Sequence, residues 1–519
     1  STIYKDYGYK GQGMVVSVID SGFDFTHKDF KITDSSKNKL TEDKVNNIIN
    51  NELEGRGKYF SEKIPYGYNY TDFDNNIEEG LNKHGQHVAG IIGANGSDEG
   101  EEKLEAIKGV APEVQILAMK VGDSDDENGA LTGDIILALE DSVKLGADVV
   151  NMSFGSDGYV ASSEDIFYNA IEKATDNGVL VVNAAGNAQT FGSEKLFDEP
   201  IDKYNLKDTS MVCEYSPSTL MVGAVNNTGV FGDGKLTISN SIINLEDMAC
   251  TFVDDIDLVN QYEKIYYFYD KNYYLVDQMS FKNKILIVSK VDNYYDEIYK
   301  KASEEGAKLI IEVSKLDGTG KYDVSRKVPV LKIGKTEGES VIEAIKKKPN
   351  EKCYINLVKE KNIAFSPSGK EMATFSSWGP SPDLELRPDV VAPGGNIYST
   401  ISDNKYDTYS GTSMSTPFVS GAEAIFYQSL KDRNINLQGR DKVMLAKQMF
   451  MNTAEPLISN VDNVYYSPRR QGAGLIQLDR AIKNMTTLTN ASNDSASLSL
   501  KNISNTKEFK LKLKNKKFK

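Results

Sequence analysis

Short apolar runs alternate with segments of helical period along the first 235 residues. Residues 14–19, 114–121, 147–152, 179–184 and 220–225 are nearly continuous in Val, Ile, Leu, Met and Ala. Between them, 131–145 and 166–177 place apolar residues three and four apart. Apolar runs of strand length predict strands buried on both faces, and the longer period predicts crossover helices. This alternation describes an α/β domain with a parallel sheet covered on both sides.

After about residue 235 the pattern changes. Tyrosines crowd 262–274, strands are predicted at 284–289, 308–313 and 328–333, and helices at 295–305 and 338–346. The block 236–362 therefore reads as a separate mixed domain inserted into the first. Long insertions are tolerated where the two ends of a loop lie close together. The α/β pattern resumes near Phe375, so that 1–235 and 363–488 form one domain. There Asp389-Val390-Val391-Ala392-Pro393-Gly394 closes a strand with a turn. A helix is predicted from Pro417 through Ala422, Ile425 and Phe426, because a first-turn proline lacks only an N–H that would be unpaired anyway. Another is predicted over 442–453. From 489 to 519 the chain alternates, with Ala496, Leu498 and Leu500, then Phe509, Leu511 and Leu513. Antiparallel strands opening a further β domain are expected there, the alternative being a lysine-rich flexible tail.

Composition narrows the function. A formal net charge of −15 argues against nucleic acid as a partner, since phosphate binding wants clustered Lys and Arg. No window approaches the apolar run that a membrane-spanning helix requires. Cys213, Cys250 and Cys353 stand far apart, without metal-ligand spacing or a disulfide framework. The first ten residues have no basic and apolar runs of a signal peptide. The chain can therefore begin after a targeting segment or pro-segment, and its start does not exclude secretion.

The chemistry-bearing residues lie at predicted strand ends and helix starts. Asp20 follows the first strand directly, at the carboxyl end where α/β sheets place their sites. His84 and His87 sit in His84-Gly85-Gln86-His87-Val88-Ala89-Gly90, where small residues permit close backbone approach. His84 is expected at an exposed helix start and His87 packed one turn on. Their spacing of three, with no Glu between, does not make a zinc motif. Asn187 ends the fourth strand through Ala185-Gly186, and its amide could donate to a developing oxyanion. Ser413 sits among small, turn-forming residues in Tyr409-Ser410-Gly411-Thr412-Ser413-Met414-Ser415-Thr416-Pro417, a setting that exposes a hydroxyl but needs an adjacent base. Together they compose a hypothesis: Ser413 attacks a carbonyl, His84 carries the proton, Asp20 holds the imidazole, and Asn187 with the Ser413 N–H holds the oxyanion.

These four segments, in the order Asp, His, Asn, Ser, resemble the signatures of subtilisin-like serine proteases. Phe375-Ser376-Ser377-Trp378-Gly379 and the segment 389–394 are also similar to that family. The resemblance implies a parallel seven-stranded sheet with helices on both faces. It makes Asp20, His84 and Ser413 a triad, with Asn187 in the oxyanion hole. Gln86 stands where the family usually has Thr, and Ser415 where it usually has Ala. The insert resembles a protease-associated domain, and 489–519 resembles the start of a fibronectin-like β-sandwich domain. Both occur in large cell-envelope subtilases of Gram-positive bacteria, of the C5a-peptidase and lactococcal-proteinase kind, which implies a secreted or cell-wall location and a mature or trimmed form with a removed pro-segment and further C-terminal domains.

By the same resemblance, a protein or peptide substrate would run as an extended strand between Gly122–Gly129 and Ser153-Phe154-Gly155, with Ala185 and Gly186 beside it. The first edge contains Asp123, Asp125, Asp126 and Glu127, then Asn128 and Gly129. Its carboxylates suggest a preference for basic residues at P2 or P4, and its oxygens suit a structural calcium ion. No cofactor is required for catalysis. The alternative is a surface-binding or adhesion protein that keeps the scaffold with little activity.

Overall fold

The computed structural model describes residues 2–78, 80, 83–97, 106–122, 130–155, 162–188, 212, 215–238, 241–246, 261–269, 272–289, 295–313, 320–323, 328, 330–365, 369–459, 463–484, 486–501 and 506–515. The chain divides into two compact units, one formed by Ser1–Asn226 with Lys370–Lys519, the other by Asn227–Gly369.

In the first unit seven strands form one parallel sheet: β1 (Val15–Asp20), β2 (Tyr66–Asn69), β3 (Gln115–Lys120), β4 (Val149–Met152), β5 (Leu180–Ala184), β6 (Leu220–Asn226) and β7 (Val390–Gly395). Their order is β7-β6-β5-β4-β1-β3-β2. Every neighbouring pair is parallel. The near-continuous apolar runs are explained by burial on both faces. Val16, Val18, Ile116, Ala118, Leu180 and Val182 point into one core, while Val15, Ile19, Leu117, Met119, Val179 and Val181 point into the other. The first core is covered by α1 (His84–Gly93), α4 (Thr412–Asp432) and α5 (Gly439–Thr453), through Val88, Ile92, Val419, Phe426 and Phe450. The second is covered by α2 (Thr132–Lys144) and α3 (Ile166–Asp176), through Ile135, Leu139, Phe167 and Ile171.

The helix carrying Ser413 begins earlier than the sequence predicts. It starts at Thr412, which puts Pro417 in its second turn rather than its first. There the missing N–H costs an intrahelical bond. A hairpin that the sequence did not announce, β8 (Ile397–Ile401) with β9 (Lys405–Tyr409), precedes this helix.

The second unit is a nine-stranded mixed sheet with helices Tyr295–Glu305 and Lys335–Lys347. It begins before 236 and ends after 362, because its longest antiparallel pair joins Gly229–Ile238 to Cys353–Phe365. The boundaries read from the sequence cut through both strands. In the first unit, Lys370 N–H donates to Asn226 O at 3.0 Å and Asn226 N–H to Glu371 O at 2.8 Å, so the chain departs and returns at adjacent positions.

Near the C-terminus, Thr486–Asn490 pairs antiparallel with Leu511–Asn515, with Leu488 opposite Leu513. The alternating segment 496–500 is not a strand. Its Ser499 hydroxyl oxygen instead accepts a hydrogen bond from Leu386 N at 2.8 Å. Alternation marked a face there without supplying a partner strand. No helix among the described residues is long and apolar enough to cross a membrane.

Candidate active site

Asp20 ends β1 and is buried at 4% relative exposure. Its Oδ1 accepts from Ser21 N at 2.8 Å and lies 2.7 Å from Nδ1 of His84. His84 is the first residue of α1, and its side chain keeps 26% of its surface exposed. The helix can approach β1 because residue 85 is glycine. A Cβ there would stand 2.4 Å from Gly22 O and 3.3 Å from Asp20 Cβ. The Gly85 N–H donates to Ser21 Oγ at 3.2 Å, and Gln86 Oε1 accepts from Asp24 N at 2.9 Å, which pins the turn after β1 to the helix. With Nδ1–H donated to the carboxylate, Nε2 is left as the imidazole's basic nitrogen. Burial alone would lower the His84 pKa, but the charge of Asp20 and its hydrogen bond outweigh this and raise it above 6.5.

The other two histidines lie elsewhere. His87 is fully buried, and its Nε2–H faces Ile397 O at 3.0 Å and Asp407 O at 3.1 Å on the β8–β9 hairpin. Its ring stacks on Tyr409 with centroids 4.3 Å apart. Burial pushes its pKa down to about 3, so it stays neutral. His27 is buried too, which lowers its pKa, and its Nδ1 accepts from Asp29 N at 3.1 Å.

Ser413 is the second residue of α4, which packs on α1 where Gly421 meets Ile92 O. Its hydroxyl donates to Ser153 O at 2.8 Å. Asn187 follows Gly186, whose φ of +100° favours glycine. The Asn187 Oδ1 accepts from Thr412 N at 2.8 Å and Thr412 Oγ1 at 3.0 Å. Gly186 N in turn donates to Thr412 Oγ1 at 3.1 Å, and Ala185 N to Val222 O at 3.0 Å. With its oxygen committed, the amide presents Nδ2 on its other side. That nitrogen lies 3.4 Å, and Ser413 N 3.6 Å, from the point where a Gly411 Cβ would stand. The Ser413 N–H belongs to the first helical turn, whose donors have no partner inside the helix. Two donors thus flank one space at the start of α4, an arrangement able to stabilise a developing oxyanion.

Of the expected substrate edges, Gly122 closes β3 with a φ of +70°, and its N–H donates to Thr71 Oγ1 at 2.5 Å. Ser153 is buried, Phe154 half-buried and Gly155 exposed, directly after β4. These two ends flank β1 and Asp20. Asp123, Asp125, Asp126, Glu127, Asn128 and Gly129 lie outside the described residues. Among the described residues no group of three or more His, Cys, Asp or Glu could hold a metal ion. Sequence reasoning missed Gln86 as a clamp, the hairpin that receives His87, and the Ser153 hydroxyl. The position of Pro417, four residues after Ser413, is the signal that would have pointed to the last.

Residues 11–474 match the model of the subtilase family, Peptidase S8. The chain is similar to the PIII-type proteinase of Lactococcus lactis subsp. cremoris strain SK11, with 35% identity over 99% of this chain and 27% of that protein. It is 35% identical to the PII-type proteinase of Lacticaseibacillus paracasei over 99% of this chain and 28% of that protein. Against the C5a peptidase of Streptococcus pyogenes serotype M6 the identity is 28%, over 98% of this chain and 42% of that protein. The chain spans less than half the length of these relatives.

Proposed function

The chain belongs to the subtilase family, and from that premise we propose that it is a serine endopeptidase that hydrolyses peptide bonds in proteins through Asp20, His84 and Ser413. The observation that carries the proposal is the 2.7 Å contact between the buried Asp20 carboxylate and Nδ1 of a part-exposed imidazole. Ser413 Oγ turns from Ser153 O and attacks the scissile carbonyl, giving its proton to His84 Nε2. Asp20 holds the tautomer and stabilises the imidazolium that forms. The tetrahedral oxyanion is held by Asn187 Nδ2 and the Ser413 N–H. His84 then protonates the leaving amine, and water hydrolyses the acyl-enzyme by the reverse sequence.

A fluorophosphonate label tests this reading. Stoichiometric modification lost in Ser413→Ala, together with cleavage sites that appear with wild type alone, supports the peptidase. An unlabelled protein that binds surfaces or polypeptides without cutting them supports the adhesion reading instead.

Substrate selection follows from charge. Asp123, Asp125, Asp126 and Glu127 beside an extended substrate favour Lys or Arg at P2 or P4, and screening by salt should weaken that preference. Indifference to basic residues at every position of a peptide library would end this part of the proposal. A structural calcium ion would use the same oxygen-rich segment, and no step of the reaction is assigned to it. The names of the relatives, proteinases and C5a peptidases, support action on proteins or peptides; a secreted or cell-wall location is part of the same proposal. The inserted unit is read as a protease-associated domain, with a role in admitting or recruiting substrate.

A further inference from the structure

One carbonyl in the nucleophile's helix has lost its regular partner. In an α-helix the N–H of residue i binds the C=O of residue i−4. Residue 417 is proline and has no N–H to give to Ser413 O. The hydroxyl of Ser153, at the end of the neighbouring strand, donates to that oxygen at 2.9 Å. Ser153 Oγ is itself held by Asn151 Nδ2 at 2.9 Å, and Asn151 Oδ1 accepts from Ser420 Oγ at 2.8 Å, two turns along the same helix. Asn151, Ser153 and Ser420 are all buried, with exposures of 0%, 2% and 0%. The three side chains therefore clip the first turns of α4 to the end of β4. The return bond from Ser413 Oγ to Ser153 O means that residue 153 grips the nucleophile at both its main chain and its side chain.

We propose that Ser153 is a positioning residue for the nucleophile, whose hydroxyl fixes the Ser413 backbone through the carbonyl that Pro417 leaves open. This rests on the reading of Ser413 as the nucleophile given above. A helix that bonded Ser413 O internally would set the first turn by helix geometry alone. Removing that internal bond and supplying one from β4 sets Ser413 by the sheet instead. Asp20 hangs from β1, the strand next to β4 in the same sheet. The hydroxyl and the carboxylate are thereby referred to one rigid frame, while the oxyanion donor at Ser413 N rides on the same turn.

The test is a mutant cycle with purified full chain, following a peptide substrate, a fluorophosphonate label and the melting temperature. Ser153→Ala leaves Ser413 O without a donor. The expected result is a fall in kcat of about 10- to 100-fold, the range of misplacement by an ångström or less, with KM within about threefold of wild type. Pro417→Ala restores an N–H at 417, so adding it to Ser153→Ala should give Ser413 O a partner again and recover part of the lost kcat, the remainder measuring what the tie to β4 adds. Equal kcat in Ser153→Ala and wild type overturns the proposal while leaving the nucleophile assignment intact. So does a lower melting temperature with kcat unchanged, which would mark a merely structural hydroxyl. A loss in Ser153→Ala that Pro417→Ala does not recover also overturns it, since the effect would not run through the Ser413 carbonyl. Ser413→Ala is the separate control. If it hydrolyses and labels like wild type, the nucleophile assignment and this inference fall together.

Discussion

Gly85→Ala should uncouple the proton carrier from its carboxylate by moving it, without removing any functional atom. The added Cβ would lie 2.4 Å from Gly22 O and 2.9 Å from Gly22 N, both backbone atoms that cannot turn aside. Ordinary contact begins at 3.4 Å, so the start of α1 and the turn after β1 must part by about 1 Å. His84 is the neighbouring residue, and its 2.7 Å contact with Asp20 spans the same gap. A displacement of about 1 Å in a catalytic group costs on the order of 100-fold, which is about 2.7 kcal/mol of activation free energy. Overpacking of this kind should also lower stability by about 1–3 kcal/mol. The assay is kcat/KM on a peptide substrate, corrected for active sites by fluorophosphonate titration, beside a thermal melt that confirms folding. A folded variant with full titration and kcat/KM within threefold of wild type would refute the reasoning, because the methyl group would then have been absorbed without disturbing His84.

Asn187→Ala should lower kcat by about 10²–10³ with little change in KM, as expected for a donor used only when the oxyanion forms; an equal rise in KM would assign Asn187 to ground-state binding. Wild-type kcat/KM should rise with pH through a midpoint above 6.5, because the raised His84 must lose its proton to act as a base. Asp20→Asn removes the charge and the hydrogen bond that raise it, so the midpoint should move to lower pH while the plateau falls by roughly 10⁴; a midpoint that stays in place would deny the coupling. His87, at about 3, is depressed from 6.5, so its stabilising share is complete above 6.5 and is lost as pH falls toward 3. The melting temperature of His87→Gln should therefore lie below wild type at neutral pH and decline less steeply in acid. Chelation by EDTA should lower the wild-type melting temperature if a structural calcium ion is bound, and isothermal titration of the stripped protein with calcium measures it directly.

Six strands of the sheet were readable because burial on both faces makes each an apolar run, so that even single runs such as 14–19 and 179–184 carry the signal unaided; β2, Tyr66-Gly67-Tyr68-Asn69, escaped because it is short and is no such run. The candidate residues stood out in the sequence because small neighbours surround them: Gly85 at a close approach, Gly186 at a positive φ, Gly411 ahead of the helix. What escaped depends on contacts across hundreds of positions. The helix start at Thr412 rather than Pro417 is decided by Asn187 and Ser153, which supply bonds the local sequence cannot show. The β8–β9 hairpin carries weak alternation, and its fit beneath α1 is set by Gly90, where a Cβ would meet Thr400 and Ser399. The edges of the second unit escaped because Gly229–Ile238 and Cys353–Phe365 define each other, and neither is a distinct run alone.

The paired amides at Asn226, Lys370 and Glu371 make the 143 residues between them a closed parenthesis in the sentence of the first fold. Closure entropy grows only as the logarithm of length, so a doubling of that span would add just about 0.6 kcal/mol. A lineage carrying this junction is free to enlarge, trade or delete the intervening unit while the sheet that carries Asp20 keeps its register. The length of the insert can thus drift at little thermodynamic cost to the fold it interrupts.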